Sequence, residues 1–124
     1  MNILSTFVIP GIGLVLTLAF GILLGRTGRP YSGLLFNIHK LLAVAAVAAT
    51  AVQMIRAFKG VVLSALSIAL LALAALCVVA LFLGGALMNT DKFDHAMLNT
   101  FHWIATAALI AALPAAVFLL ARRV

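Results

Sequence analysis

Residues 61–88 read VVLSALSIALLALAALCVVALFLGGALM, a run without a single charged side chain. A helix needs about 20 apolar residues to cross a hydrocarbon core roughly 30 Å thick, and this run exceeds that length. Working outward, residues 1–25 and 95–121 also carry no charge, and residues 30–55 carry only Lys40. The pattern predicts spans at Ile3–Leu24, Leu34–Ala57, Val61–Met88 and His95–Leu120. Hydrophobic residues make up 67% of the 124-residue chain and charged residues 8%, against about a quarter charged in soluble proteins. The expected fold class is all-α and integral to the membrane: an up-down bundle of four transmembrane helices in a single domain, residues 1–124.

The first span has no basic segment before it and runs directly into Arg26, so it is expected to remain as a helix rather than be removed as a signal peptide. The chain should split into two helical hairpins joined near Lys59-Gly60. Asn37-Ile38-His39 with Ala43 and Ala46 resembles Asn99-Thr100-Phe101-His102 with Ala105 and Ala108, which points to a duplicated hairpin. Duplicated parallel hairpins would place helices 2 and 4 diagonally opposite in the bundle.

A net charge of +6 does not indicate nucleic-acid binding here. The basic residues cluster at span ends, where Lys and Arg reach the headgroups and set orientation. Arg56, Lys59, Arg122 and Arg123 mark one side. Arg26, Arg29, Lys40 and Lys92, with Asp91 and Asp94, mark the other. The two sides tie in Lys and Arg, and discounting Lys40 as part of a span puts both termini in the cytoplasm, with a bacterial inner membrane as the expected location.

His39 and His102 are the residues that suggest chemistry. An ionisable group within a span is costly and is by default a functional-site hypothesis. His39 lies 17 residues before Arg56 and His102 lies 20 before Arg122, a mismatch of roughly 4.5 Å at the helical rise. At 100° per residue, His39, Ala43, Ala46, Thr50 and Gln53 share one face of helix 2, and His95, Asn99, His102 and Thr106 share one face of helix 4. Two imidazoles at matched depth can hold one metal between them, and in a bilayer that is most often haem iron. The competing expectation is that both histidines are packing groups, hydrogen-bonding across helices.

No Cys-x-x-Cys-His occurs and the lone cysteine is Cys77, so any haem would be non-covalent haem b. Arg26, Arg29 and Lys40 are candidates to neutralise its propionates. The two arginines are favoured because guanidinium pairs with carboxylates bidentately. Ala43 and Ala46 would leave room for a flat macrocycle, Asn99 and Thr106 flank His102 by one turn, and Trp103 and Tyr31 suit an interface or ring stacking. His95, beside Asp94, is expected at the membrane interface.

Asn37-Ile38-His39-Lys40 and His95…Asn99…Phe101-His102-Trp103 give the chain its resemblance to small four-helix bacterial b-type membrane cytochromes. It also resembles short four-helix bacterial membrane proteins with one histidine in helix 2 and one in helix 4. The first resemblance implies a one-electron carrier, with haem b clamped by histidines on different helices and electrons exchanged with quinone or another redox protein. Three histidines suffice for one such haem. The alternative is a non-catalytic small subunit of a respiratory or photosynthetic complex, or a homo-oligomer, with histidines as packing groups or single pigment ligands. Small proton-coupled multidrug exporters share this length, but they depend on a membrane-embedded Glu in helix 1, and no carboxylate lies within these spans. Hydrolytic triads, phosphate loops and zinc-type Cys/His spacing are likewise absent from the sequence.

Overall fold

In hydrocarbon no water meets an open N–H or C=O, so a spanning chain must satisfy its backbone internally, and a helix does this within each segment. The computed structural model describes residues 3–28, 30–90 and 92–123, and no strand occurs among them. It contains α1 (Ile3–Thr6), α2 (Val8–Thr27), α3 (Gly33–Ala57), α4 (Ala65–Met88) and α5 (His95–Ala121). Apart from the single turn of α1, all are long and apolar enough to span a membrane. The protein is an integral membrane protein.

Two boundaries differ most from the sequence expectation, and the remaining ends agree to within three residues. The first span is interrupted at Phe7. Pro10 has no N–H to donate to the Thr6 carbonyl, so the ladder lapses there and resumes with Gly11 N–H donating to the Phe7 carbonyl at 2.9 Å. Pro10 itself sits in the first turn of α2, where that lost donor costs least. The third span begins at Ala65 instead of Val61. Ser64 caps α4 by accepting from Ser67 N–H at 3.1 Å, and residues 61–64 form its approach. Apolar composition runs unbroken through Val61-Val62-Leu63, so only the cap chemistry reveals the true start.

The chain divides into two compact units at Lys59–Gly60, where the hairpin joint was expected; Gly60 adopts φ +82° there. In the first unit α2 and α3 pack antiparallel. A Cβ on Gly13 would lie 3.2 Å from Ala46 Cβ, so the two backbones approach closely there. The Phe7 and Phe58 rings stack 6.2 Å apart at the far end. In the second unit α4 and α5 pair along Ser67, Ala74 and Cys77 on one side and Leu98, Ala105, Ala112, Ala116 and Leu120 on the other. Arg123 donates to the Val62 carbonyl at 3.3 Å, closing that hairpin opposite its loop.

Both units bury small residues together with a few large ones (Leu24, Phe58, Leu98 and Leu120) and leave many large ones exposed. Ser67 and Ala116 are fully buried while Ile9 is 75% and Leu76 is 68% exposed. Such an arrangement suits lipid, where small residues let helices approach and large aliphatic ones meet acyl chains; in water it would be an aggregation surface.

Ala46→Leu should therefore lower the stability of the folded protein in detergent by about 1–3 kcal/mol through overpacking against Gly13. The same change at the exposed Ala48 should be near neutral. Denaturant titration followed by circular dichroism measures both.

Candidate functional site

His39 sits in the second turn of α3 and faces α2. Its Nδ1 lies 2.9 Å from the Thr17 carbonyl oxygen. A carbonyl can only accept, so Nδ1 carries the proton and donates it. In neutral imidazole the other nitrogen, Nε2, is then the one with the lone pair. Metal-ligating histidines commonly have this arrangement: the non-ligating N–H is held by a carbonyl or carboxylate, which fixes both tautomer and ring orientation. The Thr17 hydroxyl takes no part, because it donates to the Gly13 carbonyl at 2.7 Å.

The ring comes so close to α2 that a side chain beneath it would press on it. A Cβ on Gly21 would stand 3.0 Å from His39 Cε1, 3.5 Å from Nδ1 and 3.7 Å from Nε2. Below the ring on the same face, Ala46 and Thr50 are buried and Ala43 and Gln53 are half-buried. Ala46 meets Gly13 of α2, so its small side chain serves the helix contact. The Thr50 hydroxyl donates to the Ala46 carbonyl at 2.7 Å. The polar stripe of α3 is thus the face turned toward α2.

His102 occupies the second turn of α5, against α4. A Cβ on Gly85 would lie 3.7 Å from His102 Cε1, and one on Gly84 would lie 3.9 Å from Nδ1. The His102 Nδ1 is buried. Thr106 donates its hydroxyl to the His102 carbonyl at 2.8 Å, the ordinary use of a threonine within a helix. Asn99 is half-buried on the same stripe and Trp103 is 42% exposed. His95 opens α5, where the Asp94 carboxylate caps the helix by accepting from Ala96 N–H at 3.1 Å.

The cations on the histidine side sit on different elements. Arg26 lies exposed in the last turn of α2, Lys92 is exposed in the α4–α5 connection, and Arg29 lies outside the described residues. Lys40 follows His39 but points elsewhere. Its Nζ sits 5.9 Å from the Phe36 ring centroid, one turn nearer the helix start. A lysine leaning back toward its helix N-terminus in this way brings its charge closer to the headgroups.

The structure brings His39 together with Gly21 and Thr17, and His102 together with Gly84, Gly85 and Thr106. His39 and His102 belong to different compact units. No group of three or more His, Cys, Asp and Glu side chains gathers among the described residues, which leaves no zinc-type cluster there. The glycines were the part sequence reasoning missed. Gly21 and Gly25 have the spacing that packs apolar helices, yet only Gly21 meets a neighbour and Gly25 has open space. The mid-helix pair Gly84-Gly85, costing about 1 kcal/mol per glycine against alanine, was the available clue. Comparison with family models, characterised proteins and solved structures finds no match.

The carbonyl bond has a direct spectroscopic consequence. In ring-¹⁵N-labelled protein above the imidazole titration range, His39 should show a protonated Nδ1 and an unprotonated Nε2. Thr17→Val should leave that pattern intact, because the acceptor is main chain. A His39 protonated at Nε2 would contradict the assignment.

Proposed function

We propose that this protein is a membrane b-type haem protein and a one-electron carrier, with His39 and His102 as axial ligands to one iron. The observation that carries the proposal is the Nδ1–H···O=C bond from His39 to Thr17 at 2.9 Å. It leaves Nε2 as a lone-pair donor on a ring that is already oriented, the state a haem ligand needs. The haem would supply reversible one-electron chemistry, and the chain would supply ligands, orientation and an apolar surround.

The four long helices would form an up-down bundle of two duplicated hairpins, with α3 and α5 diagonal. Ala43, Asn99, Trp103 and Thr106 are the proposed surroundings of the macrocycle, whereas Ala46 is taken up by its contact with Gly13. Arg26 and Arg29, with Lys40, are the proposed partners of its propionates. Quinone or another redox protein would exchange electrons at the histidine end. The protein would reside in a bacterial inner membrane with both termini cytoplasmic. In that orientation a cysteine placed at Ser32 should react with a membrane-impermeant maleimide in intact cells. Labelling only of a cysteine appended after Val124 would invert the orientation.

A second function is favoured by the same hydrogen bond. An imidazole donating to a carbonyl on the neighbouring helix is also interhelical glue, worth about 0.6 kcal/mol on average in a bilayer. The protein would then be a small subunit of a respiratory or photosynthetic complex, with its histidines as packing groups or single pigment ligands.

Ligand variants separate the two. His39→Ala and His102→Ala should each abolish a low-spin reduced-minus-oxidised haem spectrum, because six-coordination needs both imidazoles. His95→Ala should preserve it. A spectrum that survives in either of the first two variants removes bis-histidine ligation.

A further inference from the structure

The two hairpins can be compared residue by residue, each within itself. His39 and His102 are 63 residues apart, and Gly21 and Gly84 are also 63 apart. The same offset relates a pair of hydrogen bonds. Thr27 donates its hydroxyl to the Leu24 carbonyl at 3.1 Å, and Thr90 donates to the Leu87 carbonyl at 2.8 Å. Each hairpin therefore repeats one arrangement: a glycine under the imidazole, a leucine three residues on, a threonine three further that closes the helix end onto that leucine, and then the histidine. The ring-to-glycine contact and the threonine bond are separate features, and both fall at one offset.

The seats are not equally tight. A Cβ at Gly21 would come within 3.0 Å of the His39 ring, so the ring must give by a few tenths of an ångström to admit it. At Gly84 and Gly85 the distances of 3.9 and 3.7 Å are ordinary van der Waals contact. A single methyl therefore displaces the ring in the first hairpin, while the second tolerates it.

We infer that Gly21 and Gly84 are equivalent positions in two copies of one hairpin: Gly21 is a positioning residue, a glycine seat that determines where the His39 ring lies, and Gly84 is its looser counterpart beneath the His102 ring. Gly21 acts by having no side chain. That absence lets the imidazole lie against α2 with its Nδ1 at the Thr17 carbonyl. The seats stand on the contacts within each hairpin; their use in cofactor binding rests on the haem proposal above.

The test uses the full-length protein in detergent with ring-¹⁵N-labelled histidine, its three side chains assigned by single His→Ala variants. Gly21→Ala should shift the His39 ring resonances and disturb its protonated-Nδ1 pattern, leaving those of His102 and His95 in place. Gly84→Ala should leave all three unchanged, and Gly84→Leu should move His102 alone. Gly25→Ala, at a position with open space, is the control and should change nothing. If Gly21→Ala fails to fold, His39→Ala combined with Gly21→Ala should restore folding, because the ring it strikes is gone. Unchanged His39 resonances in Gly21→Ala, or a double variant that still fails to fold, would overturn the seat. Haem content is read on the same samples. Ring shifts in a protein that binds no haem keep the seats and remove the haem proposal. Haem bound equally well by Gly21→Ala with unshifted rings removes the seats and keeps the haem.

Discussion

Close approach between neighbouring helices is what the rest of this structure depends on. In a bilayer, large apolar side chains give little drive for helices to associate, since lipid tails solvate them as well as protein does. Association has to come from van der Waals contact and from hydrogen bonds that side chains make across helices whose backbones lie near one another. Gly13 against Ala46 in the first hairpin provides such a contact. Ser67, Ala74, Ala112 and Ala116 line the second with small buried residues. Many of the large aliphatic side chains, Ile9 and Leu76 among them, face outward, while Leu24, Leu98 and Leu120 are buried.

The same closeness makes a buried imidazole possible. An ionisable ring between apolar helices needs a hydrogen-bond partner, and within a helix nearly every carbonyl is already engaged by its own ladder. The Thr17 oxygen has a second lone pair, and His39 reaches it because nothing projects from Gly21 into the space the ring occupies. Packing thus determines tautomer, and tautomer determines which nitrogen is a Lewis base. Lys40 shows the opposite solution one residue later. Its charge leans back over Phe36 toward the helix start and is not placed in the seam.

Much of the fold was legible from charge alone, because uncharged runs of this length have few alternatives. The four spans, the hairpin joint at Lys59-Gly60 and the start of α5 at His95 follow from where Lys, Arg and Asp interrupt the apolar text. The misses have a common cause. Phe7 and Ala65 are boundaries set by single hydrogen bonds, a missing one at Pro10 and a capping one at Ser64, within text that stays apolar throughout. At the site, helical periodicity identified the faces that carry His39 and His102 but could not reveal what lies opposite. That depends on the register of one helix against another. Gly21 and Gly84 differ in no intrinsic way from Gly25, and only the register makes seats of them.

A haem-binding role asks for two Lewis-basic imidazoles held in an apolar surround, and the carbonyl-fixed ring of His39 is the feature that fits it most closely. The most direct measurement is haem stoichiometry: the protein purified after haem-replete expression, extracted as the pyridine complex and quantified against polypeptide. One haem b per chain is the predicted result. A purified, folded protein carrying no haem would contradict the account and leave the histidines as interhelical hydrogen-bonding groups.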